Sequence, residues 1–77
     1  MTKYVIYDKG QMEYLETIYK TTASFDRYRG NAFEVNTIEE AKAVLSVAKA
    51  RASTRQLVIR VTEITENEFD PDAPHIK

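Results

Sequence analysis

The feature that most constrains the fold is a capped amphipathic helix in the middle of the chain. Thr37 can accept a hydrogen bond from the backbone N–H of Glu40, whose side chain can reach back in return. This is the sequence pattern of a capping box. Asn36 with Glu39 offers a second possible start, one residue earlier. Acidic residues in the first turn and basic residues in the last suit the helix dipole, so we predict a helix near residues 37–52.

One face of this predicted helix is apolar at helical spacing. The apolar stripe consists of Ile38, Ala41, Val44, Leu45 and Ala48. Three more apolar residues lie outside the stripe and widen the apolar surface, namely Ala43, Val47 and Ala50. We therefore expect the stripe to pack on a sheet, with a second packing partner possible beside it.

Four segments around the helix are rich in β-branched and aromatic residues, which favour strands. They are residues 3–7, 12–19, 32–35 and 56–65. Residues 20–31 are expected to form a loop that closes on a turn at its end. The order strand-strand-strand-helix-strand predicts an α+β fold, in which one helix packs on one face of a small, mostly antiparallel sheet. This single domain is expected to span residues 1–65, followed by an acidic, disordered tail at residues 66–77.

Two local assignments depend on short patterns. Asp8-Lys9-Gly10-Gln11 predicts the turn between the first two strands, with Gly10 able to take positive φ. Residues 12–19 also fit the spacing of a helix, because apolar side chains recur there every three or four positions. We favour the strand, since threonine and tyrosine are frequent in this segment.

The first predicted strand is apolar on both faces, because Tyr4 and Ile6 alternate with Val5 and Tyr7. A single helix covers only one face of a sheet, so the other face needs another cover. Either residues 20–31 supply it, or a second copy of the chain does. We expect a homodimer formed through the sheet.

Composition limits the class of protein. The chain has 77 residues and no cysteine, so it has neither disulfides nor thiolate metal ligands. No apolar run approaches the roughly 20 residues that span a bilayer, and the chain begins directly with strand-like sequence. We therefore expect a cytoplasmic protein that does not enter a membrane.

Charge is distributed unevenly along the chain. Residues 1–62 carry ten Lys or Arg against seven Asp or Glu, a net charge of +3. Residues 63–77 carry one Lys against five acids, a net charge of −4. The acidic end is most simply a solubilising terminus, although contact with a basic partner or folding back onto the arginines of the body is also open.

No residue pattern indicates catalysis. His75 is the one histidine and lies in the acidic tail, where nothing would orient it as a base. The two glycines, Gly10 and Gly30, are too far apart to form a phosphate-binding loop. We expect a protein without enzymatic activity, cofactor or metal.

The segment around residues 19–31 is the best candidate for a binding site because aromatic and cationic side chains alternate in it. The candidate residues are Tyr19, Lys20, Phe25, Arg27, Tyr28 and Arg29. Tyrosine and arginine are frequent in protein-binding hot spots, and the same residue types stack on bases and pair with phosphates. A purely structural interpretation, with the aromatics in the core and the arginines solvated, is also open. Three later arginines, Arg51, Arg55 and Arg60, are expected to extend the basic patch if nucleic acid is bound.

The chain resembles small bacteriophage accessory proteins in its layout. The resemblance rests on Tyr4-Val5-Ile6-Tyr7, on Ala32-Phe33-Glu34-Val35-Asn36-Thr37-Ile38-Glu39-Glu40-Ala41 and on Leu57-Val58-Ile59-Arg60-Val61. The resemblance covers about residues 3–65. The bacteriophage accessory proteins that share this layout include counter-defence proteins such as anti-CRISPRs and toxin inhibitors. The resemblance implies a protein that binds and blocks a host protein in the host cytoplasm, and it transfers no individual functional residue. A nucleic-acid-binding module and a self-associating structural protein are the alternatives.

Overall fold

The protein is described here by a computed structural model that covers residues 2–62 and 66–69. Its elements are β1 (Lys3–Asp8), β2 (Glu13–Ile18), β3 (Ala23–Asp26), a short 3-10 helix (Arg29–Asn31), α1 (Ile38–Arg51), β4 (Leu57–Thr62) and β5 (Glu66–Phe69). The strands form one antiparallel sheet in the order β3-β2-β1-β4-β5. Helix α1 packs on one face of it. The predicted α+β class and the helix-on-sheet architecture are therefore confirmed.

Helix α1 begins as predicted. The Thr37 hydroxyl accepts a hydrogen bond from the Glu40 backbone N–H at 3.1 Å, and the Glu40 carboxylate accepts one from the Thr37 N–H at 3.2 Å. This capping box places the N-cap at Thr37 instead of Asn36. The Asn36 N–H also donates to the Glu40 carboxylate, at 3.2 Å.

The third strand lies elsewhere than the sequence predicts. Residues 23–26, expected in a loop, form β3 and pair with β2, so that Phe25 lies opposite Leu15. The predicted strand at residues 32–35 is wrong. Tyr4 and Val35 exchange two backbone hydrogen bonds, and the Phe33 N–H donates to the Leu15 carbonyl at 2.8 Å. The segment thus lies between β1 and β2 where they separate, which satisfies its backbone without forming a ladder.

Segment β2 is a strand and not a helix. Tyr14 faces the side of the sheet away from α1, and Leu15 faces α1. Adjacent side chains therefore point to opposite faces, as the period of a strand requires. Leu15 and Ile18 nevertheless both pack on the α1 side, although they are three positions apart, because the pairing of β2 with β3 shifts register between Leu15 and Thr17. This irregularity accounts for part of the helical spacing of apolar residues in the segment.

Strand β1 lies in the middle of the sheet and is buried on both sides. The core on the α1 side consists of Ile6, Leu15, Ala41, Leu45, Ala48, Leu57 and Ile59. The cluster on the other side consists of Val5, Tyr7, Tyr14 and Val58. Val5 and Val58 are only 1% and 5% exposed in the single chain, so the open apolar face that motivates a sheet-to-sheet homodimer is not found there. The homodimer stays a prediction.

The sheet continues beyond the predicted end of the domain. Residues 66–69, assigned to the tail from the sequence, form β5 and pair with β4. The predicted disorder of the remaining tail concerns residues 70–77, which lie outside the described part of the chain.

The turn between β1 and β2 is closed by Asp8. Its carboxylate accepts hydrogen bonds from the N–H groups of Gly10 and Gln11 at 2.9 and 3.2 Å, and its carbonyl accepts one from Met12 at 2.7 Å. Gly10 does not take positive φ, contrary to expectation; Met12 does, at 58°. A Cβ on residue 10 would lie 3.3 Å from the Asp8 carboxylate, so a small residue suits this position for lack of space.

Replacing Met12 by asparagine is expected to raise the free energy of unfolding by about 0.5–1 kcal/mol. Asparagine tolerates the left-handed conformation better than other residues with a side chain, and the exposed Met12 side chain contributes little packing. Urea titration followed by circular dichroism measures the difference. Lys9→Asn, in the same turn but at negative φ, is the control and should give no gain. Equal stability of Met12→Asn and the original chain would contradict the prediction.

Candidate functional site

The six predicted binding residues do not form one site. Tyr19 and Lys20 precede β3, whereas Arg27, Tyr28 and Arg29 follow it. Four residues of extended strand span about 13 Å, so the two groups lie at opposite ends of β3. The sixth residue, Phe25, lies within the strand and packs against the core on the α1 side.

The residues after β3 turn toward the face opposite α1. The Asp26 carboxylate accepts a hydrogen bond from the Tyr28 N–H at 2.7 Å, which fixes the bend of the chain. Arg27 and Tyr28 are exposed. Arg29 forms an ion pair with Glu34 at 3.0 Å and lies over the ring of Tyr14, 5.8 Å from its centroid. The guanidinium of Arg29 is therefore engaged by Glu34 and Tyr14 within the chain.

Two tyrosines and two arginines cover the sheet on this side, and we call them the tyrosine–arginine face (Tyr7, Tyr14, Arg29 and Arg60). The two tyrosine rings are 4.9 Å apart and tilted by 55°. The Arg60 guanidinium stacks on the Tyr7 ring at 3.6 Å. Such cation–π contacts stabilise the face, and they use one side of each guanidinium plane.

Arg55 lies on the opposite side of the sheet in a dense ionic cluster. Its Nη1 is 2.8 Å from the Asp8 carboxylate and 2.9 Å from the Glu13 carboxylate. Its guanidinium also stacks on the Phe25 ring, with 3.8 Å between the guanidinium carbon and the ring centroid. Two carboxylates therefore neutralise Arg55, and Phe25 serves as its platform.

The pKa values of this cluster reflect opposing effects. Burial by itself raises the pKa of Asp8, but hydrogen bonds from Arg55 and from the N–H groups of Gln11 and Gly10 outweigh it. The pKa of Asp8 therefore lies below its ordinary value of 3.8. For Arg55, burial lowers the pKa, and the hydrogen bonds to Glu13 and Asp8 reverse that effect and raise it. Both groups are charged at neutral pH, which fits a structural ion pair.

The three later arginines do not extend a common basic patch. Arg51 donates to the Tyr19 carbonyl at 3.2 Å. Arg55 is bound by two carboxylates near the β1–β2 turn, and Arg60 lies on the tyrosine–arginine face. They occupy three separate places because α1, the connection after it, and β4 present them to different sides of the fold.

An apolar groove runs along one side of α1. It has a volume of about 370 Å³ and is lined by Thr17, Ile18, Phe33, Ala43, Val44 and Val47. Phe33 is 44% exposed and Val47 is 38% exposed. Large apolar side chains exposed together in a concave surface are typical of interaction sites. Neither polar side chains nor ionic contacts dominate this groove.

The groove follows from how α1 lies on the sheet. The helix packs mainly over β4 and β1, and little of it reaches β2. Its flank with Ala43 and Val47 therefore extends beyond the sheet. Phe33 and Val35 point to the α1 side of the inserted segment; Val35 packs on the core, but Phe33 lies further out and forms one wall of the groove.

Tyr19 and Lys20, two of the predicted residues, lie at one end of this groove. Tyr19 directly follows Ile18 of the groove wall, and Arg51 is one helical turn after Val47. The hydrogen bond from Arg51 to the Tyr19 carbonyl joins these two walls. The groove therefore ends in an exposed tyrosine with two cationic side chains beside it.

Sequence reasoning predicted only part of this site. Ala43, Val47 and Ala50 indicated an apolar surface outside the main stripe of α1, and the first two flank the groove. The wall formed by Phe33 was not predicted, because residues 32–35 were expected to form a strand of the sheet, with Phe33 and Val35 on one face. Its exposure depends on the insertion of residues 32–35 between β1 and β2.

In residues 2–62 and 66–69, no group of three or more His, Cys, Asp or Glu side chains is placed to hold a metal ion. Within the same residues, no helix combines the length and the apolar content needed to cross a bilayer.

Comparison with known proteins gives no relative. The chain matches no protein-family profile, no curated protein and no solved structure. The class of protein is therefore given by its fold, a small α+β domain with an apolar groove beside its helix.

Proposed function

We propose that this protein is a non-enzymatic binding protein that binds a partner protein through the apolar groove. In this proposal the protein blocks its partner by covering a surface of it. The partner is a host defence or toxin protein, and the mode of action is that of a bacteriophage-encoded inhibitor. The observation that carries the proposal is the exposure of Phe33 and Val47 in one concave apolar surface.

Physical reasoning supports a protein as the partner. Burial of apolar area is the main favourable term in most protein association, and interface hot spots lie in apolar pockets that exclude water. The neighbouring Tyr19 adds an exposed aromatic side chain of the type enriched at such interfaces.

Nucleic acid is the weaker candidate. Phosphate binding requires several cations on one surface, because each neutralised phosphate contributes to affinity. In this fold, Arg55 is bound by Asp8 and Glu13, and Arg29 is paired with Glu34. Arg27 and Tyr28 stay exposed, but they lie across β3 from Lys20. A continuous basic track is therefore missing from the described residues.

Replacing Val47 by glutamate is expected to weaken partner capture at least tenfold, because a carboxylate in the groove would have to be desolvated on binding. The tagged chain is used to capture proteins from nuclease-treated lysate, and the retained proteins are quantified by mass spectrometry. Ser46→Glu is the matched control, since it adds the same charge to the adjacent exposed helix position.

The comparison between the two variants decides the proposal. A protein retained by the original chain and by Ser46→Glu, but lost with Val47→Glu, supports it. Equal retention by all three proteins, or loss only with Arg27→Ala combined with Arg29→Ala, would place the binding surface elsewhere. Circular dichroism of each variant establishes that the fold is intact.

A further inference from the structure

The apolar groove has a distinct cationic end. Arg51 lies one turn beyond Val47 on the same flank of α1, and its Nε is held 3.2 Å from the Tyr19 carbonyl. Lys20 directly follows Tyr19 in the chain and is exposed. Because Ile18 and Val47 form the walls, Lys20 and Arg51 lie where those walls meet.

These two cations are not neutralised within the described chain. Across residues 2–62, no carboxylate lies within ion-pair distance of Lys20 or Arg51, whereas Arg29 and Arg55 are both paired. Arg51 uses only its Nε in a hydrogen bond to protein, so the two terminal nitrogens of its guanidinium fork remain able to bind a carboxylate.

The other end of the groove differs in charge. Phe33 is followed by Glu34, which is held by Arg29 on the far face of the sheet. Glu40, on the first turn of α1, is engaged in the capping box. Among the described residues, Lys20 and Arg51 therefore make the Tyr19 end of the groove cationic, whereas the carboxylates of Glu34 and Glu40 lie at the other end. This difference gives the groove a single orientation for a charged partner.

We infer that the groove takes an amphipathic segment of a partner protein whose apolar side chains are followed, at one end, by carboxylates. The apolar side chains lie against Phe33, Val44 and Val47, and the carboxylates pair with Lys20 and Arg51. Charge complementarity at the edge of an apolar contact fixes orientation and disfavours partners that place cations at the same end. This inference rests on the proposed function and specifies the chemistry of the partner.

Two synthetic peptides test the inference on the full chain. Both carry the same stripe of leucine and phenylalanine at helical spacing; one ends in three aspartates and the other in three asparagines, and both are amidated. Binding is followed by changes in the backbone amide signals of the isotope-labelled protein. We expect the aspartate peptide to bind at least tenfold more tightly at low salt and to shift the amides of Ile18, Val44 and Val47.

Variants separate the roles of charge and apolar contact. Lys20→Gln combined with Arg51→Gln should remove the preference for the aspartate peptide, as should 0.5 M salt, because screening weakens exposed ion pairs. Lys9→Gln combined with Lys42→Gln removes the same charge from other exposed positions and should preserve the preference.

Each remaining outcome has a defined meaning. Equal binding of both peptides in the groove would overturn the inferred charge preference and leave the proposed function standing. Shifts that map outside the groove, together with partner capture that survives Val47→Glu, would overturn both. Groove signals that change with protein concentration before any peptide is added would identify a second copy as the occupant and would also overturn the inference.

Discussion

Replacing Asp8 by alanine is expected to lower the free energy of unfolding by about 3 kcal/mol. The Asp8 side chain is 1% exposed, and it binds Arg55 together with the N–H groups of Gly10 and Gln11. Removing it leaves the half-buried guanidinium of Arg55 with one carboxylate partner fewer and two turn amides without an acceptor. A domain of this size has a total stability of roughly 4–12 kcal/mol, so the loss is a large fraction of it.

Urea denaturation at pH 7 measures this loss of stability, and two further variants serve as comparisons. Asp8→Asn retains an oxygen acceptor for the turn amides and loses only the charge, so it should be less destabilised than Asp8→Ala. Glu39→Gln, on the exposed first turn of α1, removes a carboxylate that has no such network and should change stability by less than about 0.5 kcal/mol. Equal effects of Asp8→Ala and Glu39→Gln would refute the structural role of the cluster.

The same carboxylate makes stability depend on pH. The pKa of Asp8 lies below 3.8 in the folded chain and near its ordinary value in the unfolded chain. At acidic pH the unfolded state therefore binds more protons, so this contribution is complete above the unfolded pKa and is lost as pH falls through the folded one. Between pH 5 and pH 3, Asp8→Asn should lose less stability than the original chain. Identical losses in both proteins would contradict the lowered pKa.

Replacing Ile59 by alanine is expected to cost about 4 kcal/mol, the largest effect of any substitution considered. Ile59 is 0% exposed, and it lies in β4 between Ile6 of β1 and Phe69 of β5. Its side chain packs in the core beneath α1, so truncation removes apolar contacts and leaves a cavity that the surrounding strands cannot close.

Thermal and urea unfolding measure this cost, and a graded variant keeps the test informative if the alanine variant does not fold. Ile59→Val removes one methylene and should cost about 1 kcal/mol. Val47→Ala, in the exposed wall of the groove, should change stability by less than about 0.5 kcal/mol. Similar losses for Ile59→Val and Val47→Ala would mean that the core is not centred on β4.

Parts of the fold that depend on neighbouring residues were predictable. The capping box joins residues three positions apart, and the alternation of side chains along β1 and β4 indicates two buried faces. The third strand was not predictable in this way. Residues 23–26 contain one aromatic and no β-branched residue, whereas residues 32–35 contain Phe33 and Val35, so local propensity favours the segment that does not form the strand. Pairing with Leu15 of β2 decides instead, since Phe25 pairs with it in a ladder and Phe33 donates one hydrogen bond.

The candidate site likewise contains residues that the sequence indicated and residues that only the tertiary structure placed there. Tyr19 and Lys20 were singled out from the sequence and lie beside the groove, and Ala43 and Val47 were recognised as apolar surface. Phe25 carries an aromatic ring of the expected kind, but Arg55, 30 positions later in the chain, covers it. Whether an aromatic residue is a binding surface or a platform within the fold depends on which distant residue packs on it.

The sequence by itself determined the helix with a capping box near its start, the strand character of β1 and β4, and the α+β class, and it favoured a strand for β2. These features arise from contacts within a few residues and from the periodicity of apolar side chains. Only the tertiary structure decided that Asp8 would bind Arg55, that the arginines would separate onto different faces, and that Phe33 would line a groove with α1. The reason is that these contacts join residues far apart in the chain, and such pairings are selected by the packing of the whole sheet and helix together.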